Sequence, residues 1–235
     1  MTELTIELEK LSKKINLPKY KIQTIQEPLL NSKYGNINIV TIECKGSKPL
    51  VVIPGYSTKS FITMFEKLIE GYEYINTYSS IYVVCWGSTI KELSQEVIKD
   101  LTLTQDIFEK NEEFRIEMAN ILDKILRSPP LNLQDITLLG KSAGGGVSMY
   151  IASNNKNVKE LLLCCPATMY HGMVLENRKD ILIKLSWNED DDIIPYETYE
   201  YFERDFKINK NKYKMYLYET GGHELNVEFL RDIIS

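Results

Sequence analysis

One stretch limits what this chain can fold into more than any other: Asp135-Ile-Thr-Leu-Leu-Gly140-Lys-Ser142-Ala-Gly144-Gly-Gly-Val-Ser-Met-Tyr150. The apolar run Ile136–Leu139 reads as a buried strand that stops at a glycine. A small-residue segment then passes into a helical pattern carrying Val147, Met149 and Ile151. Between strand and helix lies Gly-x-Ser-x-Gly. A serine on so sharp a turn sits in a strained backbone conformation with its hydroxyl held above the sheet edge. Two residues to either side the chain passes too close to itself for a Cβ, which Gly140 and Gly144 accommodate. The first turn of the helix aims unpaired N–H groups at whatever the serine meets. Gly140-Lys141-Ser142 also resembles the end of a phosphate-binding loop. That loop requires a glycine where Asp135 stands, so a nucleotide-binding reading is weak.

At 235 residues, 43% of them hydrophobic, the chain suits a single domain with a sizeable core. The net charge of −5 carries no nucleic-acid footprint. No apolar run approaches the roughly 20 residues of a membrane span, and Met1-Thr-Glu-Leu-Thr does not open like a secretory leader. Cys44, Cys85, Cys164 and Cys165 fall at or in strand-like apolar runs with no zinc spacing, and read as reduced core residues of a cytoplasmic protein.

Along the chain, Leu4, Leu8, Leu11 and Ile15 form one stripe of an amphipathic helix within residues 1–17, docked on the domain. Residues 20–26 and 36–43 alternate as the strands of an antiparallel hairpin, with a turn at 31–36. Residues 49–53 and 81–86 are continuous apolar runs, as in strands buried on both faces. Helices are expected at 59–69 and 112–126, the latter stopped by Ser128-Pro129-Pro130. After the serine stretch come strands at 158–165, 179–187 and 214–218, and helices at 196–206 and from about 225. The class is α/β: a mostly parallel sheet of about eight strands with helices on both faces. Residues 88–110 are polar and, with Met169 and Tyr170, are the expected partial cover of the sheet edge.

In such sheets ligands gather at the carboxyl ends of the strands, so strand ends supply the candidates. A serine hydroxyl needs a base. The chain has two histidines, and His223, in Thr220-Gly-Gly-His223 after the last strand, is the better placed. His171 reads as a rim residue. The base needs a carboxylate to set its tautomer, and the strand ending at Trp187 runs into Asn188-Glu-Asp-Asp191-Asp-Ile-Ile-Pro195. Asp191 is the choice and Asp190 the reserve. The oxyanion of a tetrahedral intermediate needs two fixed N–H donors, for which the amide of Ala143 and that of Tyr56, in Pro54-Gly55-Tyr56, are the candidates.

The order Ser142, Asp191, His223, with the turn after Ile53, resembles the α/β-hydrolase superfamily over residues 49 to about 230. The acid ahead of Ile194-Pro195 and the late Gly222-His223 are both similar to that family's motifs. The chain departs from it in having Pro54-Gly55 where His-Gly is frequent, and Asn188 where a glycine is frequent. Only residues 167–180 lie where the family often inserts a cap, which implies an open site with at most a minimal cover. The resemblance implies a hydrolase, without a cofactor or metal, that cleaves a small carboxylic ester or thioester through an acyl-enzyme. Activity should fall on acidification as the imidazole takes up a proton. Acyl transfer, or amide or peptide cleavage on the same triad, is the nearest alternative. A binding protein on a retained hydrolase scaffold is an alternative of another class.

Overall fold

A computed structural model of the chain describes residues 3–25, 37–86 and 105–233. The expected turn at 31–36 and most of the expected cover at 88–110 lie outside them. The elements in chain order are α1 (Glu3–Ser12), β1 (Tyr20–Ile25), β2 (Ile37–Glu43), β3 (Pro49–Ile53), α2 (Thr58–Glu70), α3 (Tyr72–Ile75) and β4 (Ser80–Cys85). There follow α4 (Gln105–Arg127), β5 (Ile136–Lys141), α5 (Ala143–Asn154), β6 (Val158–Cys164) and a 3-10 turn (His171–Leu175). The chain closes with β7 (Leu182–Asn188), α6 (Thr198–Asn209), β8 (Lys212–Tyr218) and α7 (Val227–Asp232).

The eight strands form one sheet in the order β1-β2-β4-β3-β5-β6-β7-β8. β1 and β2 are antiparallel, as the alternating pattern predicted, and β2 also pairs antiparallel with β4. From β4 to β8 every pairing is parallel. Every residue of β3 and of β5 is buried, which accounts for their unbroken apolar runs. β8, at the sheet edge, alternates between exposed and half-buried positions.

Helices sit in two groups. α1, α2, α3 and α7 pack among themselves, with Phe61, Met64, Phe65 and Leu68 of α2 turned inward. α4 packs along α5. Three expectations shift. α4 starts at Gln105, seven residues before the expected Glu112, because a polar stretch with little apolar periodicity gives no start signal. β7 starts at Leu182 and not at Lys179, because Arg178 and Asp180 are held in the preceding turn. α6 runs from Thr198 to Asn209, two or three residues later than expected. No disulfide joins Cys44, Cys85, Cys164 and Cys165, as read from the sequence.

Register is what places the site. Ile53 pairs with Gly140, Lys141 with Cys164, Cys164 with Ser186, and Asn188 with Tyr218. The parallel strands therefore end nearly level, and the loops leaving β3, β5, β6, β7 and β8 open on the same edge.

Arg178 locks the opposite end of this assembly. It is fully buried, donates to the carbonyls of Asn155 and Val158 at 2.9 and 2.8 Å, and pairs with Asp180 at 2.9 Å. Arg178→Met should leave two buried carbonyls without donors and lower stability by about 2–4 kcal/mol in urea unfolding. A loss below about 0.5 kcal/mol would show that water takes over those carbonyls.

Candidate active site

Ser142 stands where β5 hands over to α5, with φ 54° and ψ −126°. This is a conformation that non-glycine residues rarely adopt. The turn is held from several sides. The Ser142 amide donates to the carbonyl of Cys164 at 3.0 Å, and its own carbonyl accepts the amide of Ala167 at 2.8 Å. α5 is pressed so close to β3 that a Cβ on Gly144 would lie 2.0 Å from the carbonyl oxygen of Ile53. On its other side a Cβ on Gly146 would lie 2.3 Å from the carbonyl oxygen of Ala167. The run Gly144-Gly145-Gly146 is thus what lets the helix carrying the serine thread between two strand-end loops.

The loop after β3 passes beside the serine: a Cβ on Gly55 would stand 3.7 Å from that of Ser142. The loop is fixed by Trp86 Nε1, which donates to the carbonyl of Pro54 at 3.0 Å, and by the Gly55 amide, which donates to Ser60 Oγ at 3.0 Å. The amides of Tyr56 and Ala143 have no backbone partner among the described residues. The Tyr56 ring packs against Trp86 and Phe114, with centroids 5.4 and 5.6 Å apart.

The structure brings Asp191 and His223 together. His223 Nδ1 lies 2.9 and 3.0 Å from the two Asp191 carboxylate oxygens. Asp191 Oδ1 also accepts the amides of Ile193 and Ile194, at 3.0 and 2.9 Å. The Asp191 side chain is wholly buried. Burial alone would push its carboxyl up, but the His223 hydrogen bond, the two amides and the attraction of the imidazole outweigh it and hold it below the usual carboxylate range. An ionised Asp191 requires the proton on Nδ1 and leaves the Nε2 lone pair as the acceptor. Nε2 is buried and makes no hydrogen bond among the described residues, Ser142 included.

Asp190, the reserve acid, has another task. Its carboxylate accepts the amides of Gly222 and Gly221 at 2.6 and 3.2 Å. Asn188 reinforces the same loop, donating from Nδ2 to the carbonyls of Gly222 and Glu224 at 2.8 and 3.0 Å. The acid turn therefore grips the histidine loop at four backbone groups. Lys141, which the motif leaves unspecified, adds a fifth tie. It is buried at the strand end, and its Nζ lies 2.5 Å from the carboxylate of Glu224, next to His223. No periodicity or motif marks Lys141, Asn188 or Glu224 as partners, since their link crosses three loops.

His171, the rim candidate, opens the 3-10 turn and stacks on Tyr201 and edge-on to Phe202, with centroids 5.2 and 5.1 Å away. Burial lowers its pKa, which keeps it neutral. It lines a cleft of about 490 Å³ between Pro166–Met169 and Ile193–Pro195, beside the serine turn. Met169 lines that cleft, whereas Tyr170 stands exposed. Cys165, Asp191 and His223 bring three potential metal ligands within 4.8 Å of one another. Two of the three are already bonded to each other, and burial pushes the Cys165 thiol well up, so the trio does not offer three available donors.

No family model matches the chain, and no curated protein matches it. Solved structures do. Est1E from Butyrivibrio proteoclasticus is 12% identical, with a TM-score of 0.61 over 91% of this chain and 95% of that one. CarC, a serine hydrolase involved in carbazole degradation, is 12% identical, with a TM-score of 0.59 over 92% and 96%. A puromycin-hydrolyzing peptidase from Mycobacterium tuberculosis is 11% identical, with a TM-score of 0.60 over 93% of this chain and 38% of that one. The chain has the α/β-hydrolase fold.

The Asp191–His223 bond makes stability depend on pH in a definite direction. The Asp191 pKa in the folded protein lies below its ordinary 3.8. Its contribution is therefore complete above that value and is lost as pH falls through the lower folded one. The stability gap between wild type and Asp191→Asn in denaturant titrations should be level above about pH 5 and shrink below 3.8. A gap that widens with acid would contradict an ionised Asp191.

Proposed function

We propose that this protein is a serine hydrolase that cleaves a carboxylic ester or thioester through an acyl-enzyme. The observation that carries the reading is the Asp191–His223 pair, whose buried Nε2 has no hydrogen-bond partner among the described residues, together with a serine held at an unfavourable φ on a strand-to-helix turn. In this reading the Ser142 hydroxyl gives its proton to His223 Nε2 as its oxygen attacks the carbonyl carbon. Asp191 holds the imidazole in the productive tautomer and stabilises the imidazolium. The amides of Tyr56 and Ala143 take the oxyanion. His223 then delivers the proton to the leaving oxygen or sulfur. A water, deprotonated by the same nitrogen, releases the acid and restores Ser142. The serine–histidine bond is commonly long in free enzymes and tightens when substrate is bound.

Two features support a small substrate and an open site. The cleft beside the serine is about 490 Å³. The segment between β6 and β7 holds one 3-10 turn in place of a cap. Similar folds include a thermostable esterase and a peptidase, so the scaffold alone does not choose the bond.

A fluorophosphonate probe should label the folded protein at one site, and Ser142→Ala should abolish labelling. Asp191→Asn should lower kcat on a chromogenic short-chain ester about 10⁴-fold at neutral pH, because it strands the imidazole in the wrong tautomer. Labelling that persists in Ser142→Ala, or an Asp191→Asn loss under about tenfold, would contradict the assignment.

A further inference from the structure

Arg115 reaches into the cleft from α4, and the hydrolytic chemistry does not use it. Its side chain is 9% exposed. The stem crosses the first turns of α5, where a Cβ on Gly146 would stand 2.9 Å from Arg115 Cδ, so the glycine makes room for it. Nη1 donates to Glu112 Oε2 at 2.5 Å. Nε, on the opposite side of the guanidinium, is buried and has no hydrogen-bond partner among the described residues.

Glu112 cannot satisfy it. That carboxylate already accepts the Tyr150 hydroxyl at 2.5 Å, the Thr168 hydroxyl at 2.6 Å and the Met169 amide at 3.1 Å, besides Arg115. Glu112 thus pins the wall of the cleft and orients the arginine, and its acceptor capacity is used up. The Tyr56 hydroxyl is a second buried polar atom without a partner among the described residues, and both the Arg115 and Glu112 charges act on it. A buried donor with no acceptor calls for an explanation, and a ligand that supplies the acceptor is one. The edge of arginine that includes Nε is the one that grips a carboxylate side-on through two parallel N–H groups.

We propose that Arg115 determines specificity by binding a carboxylate on the substrate, so that the preferred esters or thioesters carry a free carboxylate a few atoms from the bond that is cut. The proposal rests on the hydrolase reading for its chemistry and on the cleft alone for its binding. A monoanion suits the site better than a phosphate dianion, because Glu112 already neutralises much of the arginine's charge at 2.5 Å. The only histidine in the cleft wall is kept neutral by burial and adds no second cation.

The test compares matched pairs. Monoethyl glutarate and ethyl pentanoate differ in a carboxylate on the acyl side; 3-carboxyphenyl acetate and phenyl acetate differ on the alcohol side. Wild type should favour the acidic member of at least one pair by about tenfold or more in kcat/KM, mainly through KM. Arg115→Met should bring that ratio to within about twofold of one, and Arg115→Lys, which keeps the charge but not the fork, should restore it only in part. Ratios near one in both pairs for wild type, or a ratio that Arg115→Met leaves unchanged, would overturn the proposal. Should the variants not fold, calorimetry on wild type decides: N-phenylglutaramate should bind at least about tenfold more tightly than N-phenylpentanamide, or 3-acetamidobenzoate than acetanilide, and equal binding within both pairs would overturn it. Failure of the hydrolase reading shows separately, as folded protein that a fluorophosphonate does not label while N-phenylglutaramate still binds.

Discussion

The structure depends on one steric constraint: the serine helix must start where two other strand ends already stand. α5 leaves β5 between the carbonyls of Ile53 and Pro54 on one side and the Pro166–Ala167 segment on the other. Only a helix without side chains at its second to fourth positions fits there, and Gly144-Gly145-Gly146 supplies it. The same squeeze forces Ser142 to a positive φ and stabilises that conformation through the Cys164 carbonyl and the Ala167 amide. A local backbone cost is offset by contacts that belong to the sheet as a whole.

From this fixed point the remaining parts are placed by register. Parallel ladders bring the ends of β3, β5, β6, β7 and β8 level, and polar ties join the loops across them. Asp190 and Asn188 hold the histidine loop by its backbone, leaving Asp191 to hold the imidazole itself. The Lys141–Glu224 pair connects the residue before the serine to the residue after the histidine. A polar cluster of this kind is valuable when every member is satisfied. Among the described residues, the buried atoms without a hydrogen-bond partner include His223 Nε2, Arg115 Nε and the Tyr56 hydroxyl, which lie on the histidine loop, in the cleft wall and on the loop after β3.

Much of this was legible in the sequence, for physical reasons that differ by element. Buried parallel strands announce themselves as unbroken apolar runs, and Leu50–Ile53 and Ile136–Leu139 did so. The glycine-flanked serine was readable because the turn admits few residue types. Asp191 and His223 were readable as strand-end residues in a fixed order. What was not legible depends on contacts between distant loops. Asn188 looked like a departure from a family pattern, yet its amide is needed to carry the histidine loop. Lys141 looked uninformative, although it is buried with a partner 83 residues away. Nothing in the chain's own periodicity marks Glu112 and Arg115, three apart on a helix, as buried, because α5 and the Thr168 loop that close over them are distant in sequence. The start of α4 was missed since residues 105–111 lack an apolar stripe.

The central claim is that Ser142, His223 and two backbone amides converge on one reacting carbonyl. A crystal structure of the protein phosphonylated at Ser142 tests it most directly. The account predicts the phosphonyl oxygen at roughly 2.7–3.1 Å from the amide nitrogens of both Tyr56 and Ala143, with His223 Nε2 within about 3.2 Å of the serine oxygen. A phosphonyl oxygen turned to solvent, or an imidazole still remote from the modified serine, would contradict it.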